Sequence, residues 1–259
     1  MTDVAIQQSG AVLTITLDRP ASRNGLVPDT AVQLAERFET ASTDTSIRVI
    51  VLTGAGRSFC SGADLMAAAQ QLGKGSLDAL IRDTFHRLIR AIIASPQPVV
   101  ASIRGPAVGY GFDLALACDL RVVSRDSKLG AVFARRGLVP DGGSSFTLSR
   151  LVGLARAMEL VLLADTFDGQ RAYDLGLANR LVDDDALETE TAALVARLAE
   201  GAPLVFKRAK QNLHLGLSGS LDEALEREVT AQVQCIWSRD AMEGVTAFFQ
   251  KRKPEFTGS

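Results

Sequence analysis

Two glycine-bearing stretches hold the groups with which this chain could do chemistry. The first is Gly105-Pro-Ala-Val-Gly-Tyr-Gly-Phe-Asp-Leu-Ala-Leu-Ala-Cys-Asp-Leu-Arg121, after the apolar run Pro98-Val-Val-Ala-Ser-Ile103, which reads as a buried strand. Gly105, Gly109 and Gly111 with Pro106 force a turn and let backbones approach closely. Phe112, Leu114, Ala115, Leu116 and Cys118 then crowd too much apolar surface into one helix for it to lie in solvent. A helix starting from such a turn presents N–H groups without intrahelical partners. They can hold a phosphate or a developing oxyanion; tight helix–strand packing alone would leave the same glycines. A second turn of this kind, Ser58-Phe-Cys-Ser-Gly-Ala-Asp-Leu65, again between a strand and a helical run, favours a role in holding such an anion over packing alone.

Other chemistries lack their residues. Thr53-Gly-Ala-Gly56 and Gly109-Tyr-Gly111 do not complete G-x-G-x-x-G, and no acidic residue closes a following strand. Tyr110 and Tyr173 are followed four residues on by Leu114 and Leu177, not by the lysine of a short-chain dehydrogenase. The G-x-S-x-G elbow is absent, and neither His86 nor His214 has an evident nucleophile partner. Neither has Cys or His partners at ligand spacing, so no metal site is expected.

The elements that must position the turns follow in order. Val4–Gln8 and Ala11–Leu17 around Ser9-Gly10 read as a hairpin, and Arg48–Thr53 as a strand. Asp29 or Thr30 could cap a helix burying Val32, Leu34, Ala35 and Phe38. Leu77–Ala94 reads as one long amphipathic helix stopped by Pro96 and Pro98. Arg121–Val123 and Lys128–Phe133 read as short strands, and Ser144 or Ser145 as the cap of the next helix. Leu175–Asn179 and Val182–Asp185 read as loop-like joints. From Leu187 the chain reads as helical throughout: 187–200, 203–215, 221–238 and 241–251.

At 259 residues the chain can form one large domain, or one domain with an appendage. A hydrophobic fraction of 47% with 22% charged residues is that of an ordinary globular protein. A net charge of −2 argues against nucleic acid as a partner, and no apolar run is long enough to span a bilayer, so no membrane partner is expected. Cys60, Cys118 and Cys235 are too widely spaced for a disulfide framework and read as buried thiols in a cytoplasmic protein.

Taken jointly, Ser22-Arg-Asn24, Phe59-Cys-Ser-Gly-Ala-Asp-Leu65, Gly105–Asp119, Gly137-Leu-Val-Pro-Asp-Gly-Gly143 and Ala247-Phe-Phe-Gln-Lys-Arg-Lys-Pro-Glu-Phe256 resemble the crotonase (enoyl-CoA hydratase/isomerase) superfamily. The resemblance implies an α/β fold: a spiral of β-β-α units over residues 1–200, built on two stacked sheets, with a helical trimerisation region at 201–259. It implies an acyl-CoA thioester substrate, coenzyme A being part of the substrate with no other cofactor, and a homotrimer or a dimer of trimers. It also implies an enolate held by two main-chain N–H groups, at Ala63 and Tyr110, with the Tyr110 ring turned away from the thioester carbonyl.

The acid–base positions are the informative part of the resemblance. Hydratases need a base for the water and an acid for the α-carbon. The first of these positions is Asp113 here; the second is Phe133, which transfers no proton. Eight residues on stands Asp141, and in the isomerases resembling this chain the acid of that motif moves the proton. The resemblance thus favours an isomerase working through Asp141, its pKa raised among Phe133, Phe146 and Leu138. Asp113 then orients Asp141 or a water, unless it is only a first-turn helix residue. The alternative for Asp141 is a turn or cap residue ahead of Ser144. Alternatives for the whole chain are a hydratase using Asp113 and an inactive acyl-CoA-binding relative. For coenzyme A the resemblance points to Arg23 and Asn24, to Ala63, Asp64 and Leu65 around the first donor, to Phe133 in the acyl pocket, and to Phe248 and Lys251 reaching a neighbouring subunit's ligand. Met66 stands where the family usually has a lysine, and Met66, Leu72, Phe85 and Phe133 are expected to shape the pocket.

Overall fold

A computed structural model describes residues 3–64, 66, 67, 70 and 75–259; Leu65 and Leu72 lie outside the described residues. The hairpin forms as expected: β1 (Val4–Ser9) and β2 (Val12–Leu17) pair antiparallel around Gly10, whose φ of +56° suits glycine. α1 (Pro28–Ala41) starts earlier than a polar cap would place it. Pro28 occupies its first turn after Val27, so Asp29 lies inside the helix and Thr30 Oγ donates to Asp3 Oδ2 instead. β3 (Val49–Gly54) runs parallel to β2.

The long amphipathic segment is not one α-helix. α2 (Leu77–Ile81) and α3 (Arg87–Ala94) are joined by a π turn over Arg82–His86, which buries Thr84 and Phe85. The apolar spacing survives such a turn, and so does not reveal it. β4 (Val99–Ile103), wholly buried, follows in parallel with β3.

The chain then drops into a second sheet through β5 (Pro106–Val108), enters the buried helix α4 (Tyr110–Ala117) and returns to the first sheet as β6 (Leu120–Ser124). β7 (Lys128–Gly130) lies beside β5. The strand expected to reach Phe133 stops at Gly130, because β5 supplies only three residues before turning into α4; Val132–Arg136 is a 3₁₀ turn instead. α5 (Ser144–Val152) begins behind Gly143, which has a φ of +90° and no side chain to cap it, so Ser144 is the first helical residue and neither serine is the cap. α6 (Leu154–Leu163), β8 (Phe167–Asp168) and α7 (Gly169–Asp174) follow. Val182, expected in a loop-like joint, ends the edge strand β9 (Arg180–Val182), which ladders onto β6; only that partner decides its conformation. α8 (Leu187–Ala199), α9 (Pro203–Gly216), α10 (Leu221–Ile236) and α11 (Arg239–Gln250) complete the chain, close to the helices expected.

The six-stranded sheet has the order β1-β2-β3-β4-β6-β9 and the three-stranded sheet β5-β7-β8. α8 covers one face of the large sheet, with Leu187 and Val195 on Val51, Val100 and Val122. The other face carries the main core, including Leu34, Phe38, Leu52, Leu88 and Phe112. The helical region after residue 200 is tied back by Lys210, which meets Asp119 at 2.6 Å, and by Arg48, which donates to the Phe256 carbonyl. Cys60 and Cys118 are buried as expected; Cys235, on the outer helix α10, is partly exposed. Among the described residues no helix is long and apolar enough to cross a membrane.

The end of α4 explains Arg121, the last residue of the opening motif. Its buried guanidinium donates to the carbonyls of Cys118 (2.7 Å), Ala115 (3.3 Å) and Leu177 (2.6 Å). A helix this short, sunk in apolar surroundings, cannot leave its last carbonyls to water, and a cation there also meets the negative end of the helix dipole. Arg121→Met is expected to cost about 3 kcal/mol, measured by urea unfolding.

Candidate active site

The site forms where the two glycine turns are drawn together. Cys60 pairs with Ala107 in a parallel bridge, and Leu26 with Ala63 in another. Cys60 N–H donates to the Pro106 carbonyl at 2.9 Å, and Val108 N–H donates back to the Cys60 carbonyl at 3.1 Å. The backbones then stand too close for side chains. A Cβ on Gly111 would lie 2.2 Å from the Cys60 oxygen, and one on Gly62 would lie 3.0 Å from Val108 O and 3.4 Å from Tyr110 N. These two glycines are therefore steric requirements of the site, and Gly62 also needs its φ of +99°.

This contact brings Ala63 and Tyr110 to one cavity of about 340 Å³. Among the described residues neither the Ala63 N–H nor the Tyr110 N–H has an acceptor, although the amides of Cys60, Val108, Gly109 and Phe112 are all bonded. Two main-chain donors in an apolar recess suit an oxygen that becomes negative during reaction. The Tyr110 side chain is buried and held in place: its hydroxyl donates to the Phe85 carbonyl at 2.6 Å, and the two rings meet edge to face at 5.0 Å. Burial, and the carboxylates of Asp113 and Asp141, push the Tyr110 phenol well above its ordinary pKa, so it stays a donor.

The rest of the cavity wall is largely apolar. Phe133, Val132 and Arg136 come from the 3₁₀ turn, Leu80, Ile81 and Phe85 from the helical segment before α3, and Leu138 and Asp141 from the loop that follows. Asp141 is half-buried, and among the described residues its carboxylate bonds to no other residue's side chain or amide, so it does not cap α5. Burial raises its pKa, against the pull of its own backbone and of the His86 charge. Phe146, expected in this wall, is on the surface, where its ring carries the Arg150 guanidinium 3.5 Å from the centroid.

Asp113 is placed differently from a group that meets substrate. It is fully buried and absent from the cavity wall; its Oδ2 accepts from Gly142 N–H at 2.8 Å, in the loop that carries Asp141. A Cβ on Gly142 would lie 2.6 Å from Asp113 Oδ2, so only glycine permits this approach. Asp113 Oδ1 and the Ser144 hydroxyl are both buried without a hydrogen-bond partner. Burial, above all, raises the Asp113 pKa to about 7; Ser144 and Gly142 nearby moderate the shift, and the Asp141 charge adds to it.

The expected coenzyme A contacts divide. Asn24 is buried, and its side chain is spent within the fold: Oδ1 accepts from Arg19 N–H, and Nδ2 donates to the Ala55 and Ser58 carbonyls. With those bonds the side chain locks a left-handed turn, at φ +56°. Asp64 caps the helical residues after it, accepting from the Met66 and Ala67 amides, and faces Arg19 at 3.7 Å. Arg23 is exposed, and Leu65 lies outside the described residues. Phe248 and Lys251 are exposed on and just after α11, away from this chain's own cavity wall. His86, which has no partner by sequence spacing, reaches the loop that carries Asp141: its Nε2–H donates to the Asp141 carbonyl at 2.9 Å. Its position directly after Phe85, a residue expected in the pocket, was the available signal.

Asp113 makes stability depend on pH. Its folded pKa, about 7, lies above the ordinary 3.8, so the native state holds this proton more tightly than the unfolded chain does. The contribution is complete below the ordinary value and is lost as pH rises through about 7. Relative to Asp113→Asn, the unfolding free energy should fall by roughly 3 kcal/mol between pH 5 and pH 8, as read from urea titrations.

Comparison with known proteins places this geometry. The enoyl-CoA hydratase/isomerase family profile matches residues 7–259. A 1,2-epoxyphenylacetyl-CoA isomerase of Escherichia coli is 35% identical, with 95% of each chain covered. A 2,3-dehydroadipyl-CoA hydratase of the same organism is 34% identical, with 100% of each covered. A crystal structure of an enoyl-CoA hydratase from Bacillus anthracis superposes with a TM-score of 0.93 at 29% identity, covering 99% of this chain and 100% of that one. Two spare main-chain donors in one apolar recess thus lie on a fold shared from end to end, and the chain belongs to the enoyl-CoA hydratase/isomerase family.

Proposed function

We propose that this enzyme is an isomerase that moves a double bond within an enoyl-CoA thioester. The observation that carries the reading is one cavity lined by two unpaired main-chain donors, the half-buried Asp141 and Phe133. The Asp141 carboxylate takes a proton from C2 of a 3-enoyl thioester, and the electron pair forms the C1=C2 bond of a dienolate. The N–H groups of Ala63 and Tyr110 hold the resulting oxyanion. Asp141 then returns the proton to C4. The C3=C4 pair makes the new C–H bond, the C1=C2 pair moves to C2=C3, and the carbonyl reforms. The step is redox-neutral and uses one carboxyl group, with coenzyme A arriving as part of the substrate. A raised pKa suits a group that must both take and give a proton near neutral pH.

Hydration would need a second proton-transferring group at the cavity, and Asp113, bonded to Gly142 N–H, is not in its wall. The name of the E. coli hydratase keeps that reading in view. In the proposed complex Arg23 meets the nucleotide at the rim, while Phe248 and Lys251 serve the ligand of a neighbouring copy.

Assembly with other copies is part of the same proposal. Leu221, Leu225, Val229, Val233 and Ile236 form an exposed stripe at helical spacing along α10, continued by Trp237, which is 84% exposed. So long an apolar stripe is unfavourable in water and fits a partner helix of a second copy.

With trans-3-hexenoyl-CoA, the conjugated 2-enoyl product should accumulate, and Asp141→Asn should slow the reaction by about 10³-fold. The acid limb of the rate profile should lie above the usual carboxylate range, activity rising with pH as Asp141 ionises. Hydration of crotonyl-CoA as fast as isomerisation, abolished by Asp113→Asn, would overturn the isomerase reading. For assembly, Leu225→Glu with Val229→Glu should reduce the particle to monomer mass in light scattering.

A further inference from the structure

We propose that His86 is a positioning residue that, opposite Asp113, clamps the peptide between Asp141 and Gly142 and so holds the Asp141 carboxylate against the cavity. The inference rests on Asp141 being the acid of the reaction proposed above.

Two side chains converge on one peptide unit. The Asp141 carbonyl accepts from His86 Nε2–H at 2.9 Å, and the N–H of the same peptide, on Gly142, donates to Asp113 Oδ2 at 2.8 Å. The bond is trans, so its carbonyl and N–H point to opposite edges of the plane, and the partners grip it from two sides. A carbonyl oxygen can only accept, so the Nε2 of His86 must carry the proton in this contact.

The segment has little else to hold it. Among the described residues these are the only hydrogen bonds from the main chain of residues 139–142 to the rest of the fold. Leu138 and Val139, just before, are 49% and 76% exposed. A loop with so few buried contacts opens easily unless specific bonds hold it. The acid it carries must nevertheless stand within reach of C2 and C4, and a misplacement of about 1 Å costs on the order of 10²-fold in rate.

The π turn puts the imidazole in place. His86 ends the turn, and its neighbour Phe85 accepts the Tyr110 hydroxyl. One local irregularity of the helical segment therefore holds both halves of the site, the residue that presents the second oxyanion donor and the loop that presents the acid. π turns are frequent at functional positions for this kind of reason. His86 does not line the cavity and so does not meet substrate.

The test compares His86→Phe, which keeps a flat ring without a donor, with His86→Gln, whose amide can place an N–H near the same point. With trans-3-hexenoyl-CoA, the Phe variant should lose about 10- to 100-fold in kcat, its KM should stay within about twofold, and the Gln variant should recover most of the loss. Amide exchange at Gly142 should quicken in the Phe variant and return toward the wild-type rate in the Gln variant. Should the Phe variant fail to fold, His86→Leu takes its place. An unchanged kcat in the donor-free variant, with Asp141→Asn inactive, would remove the clamp and leave the role of Asp141 standing. A Gln variant that restores thermal stability but not kcat would reduce His86 to a packing residue. Full activity of Asp141→Asn would overturn both readings together.

Discussion

Two main chains run side by side at a separation that no side chain would allow. The carbonyl of Cys60 occupies the space a Cβ on Gly111 would need, and the Val108 carbonyl presses on Gly62. Ladder bonds on either side of this contact satisfy most of the neighbouring amides, but the geometry leaves the N–H groups of Ala63 and Tyr110 over. Both residues line one largely apolar recess, where electrostatic interactions are stronger than in water. That contact brings Ala63 and Tyr110 to the same cavity as Asp141 and Phe133.

The same apolar surroundings govern the carboxylates. Burial raises the pKa of both Asp113 and Asp141, and the negative charge of Asp141 adds to the shift at Asp113. Gly142 separates their roles: its backbone N–H satisfies Asp113, and its missing side chain lets the loop lie directly on that residue. Asp113 is thus fully buried off the cavity wall, while Asp141, half-buried, lines it. Two acids of one kind take different positions because a single peptide lies between them.

The elements that run true to the sequence are those whose pattern is local. The hairpin around Gly10, the buried strand β4, the short buried helix α4 and the four C-terminal helices depend on periodicity and turn chemistry within a few residues. The departures occur where a partner decides. β7 stops at Gly130 because β5 ends, β9 exists because β6 offers an edge, and the π turn keeps the apolar spacing of the helix it interrupts. Asn24 shows the same limit at the site: its motif pointed to a ligand, yet its amide closes a turn through carbonyls more than thirty residues away.

By itself the sequence determined the chemistry on offer: glycines where backbones must meet and one acid in a Pro-Asp-Gly-Gly turn. Residue types and spacing carry that information because φ preferences, side-chain volume and ionisable groups belong to individual residues. Tertiary structure alone decided which groups meet. It bonded Asp113 to the loop, brought His86 onto the Asp141 carbonyl and moved Phe146 to the surface. Such contacts join segments 29 and 55 residues apart through single hydrogen bonds, and these leave no periodic trace in either segment.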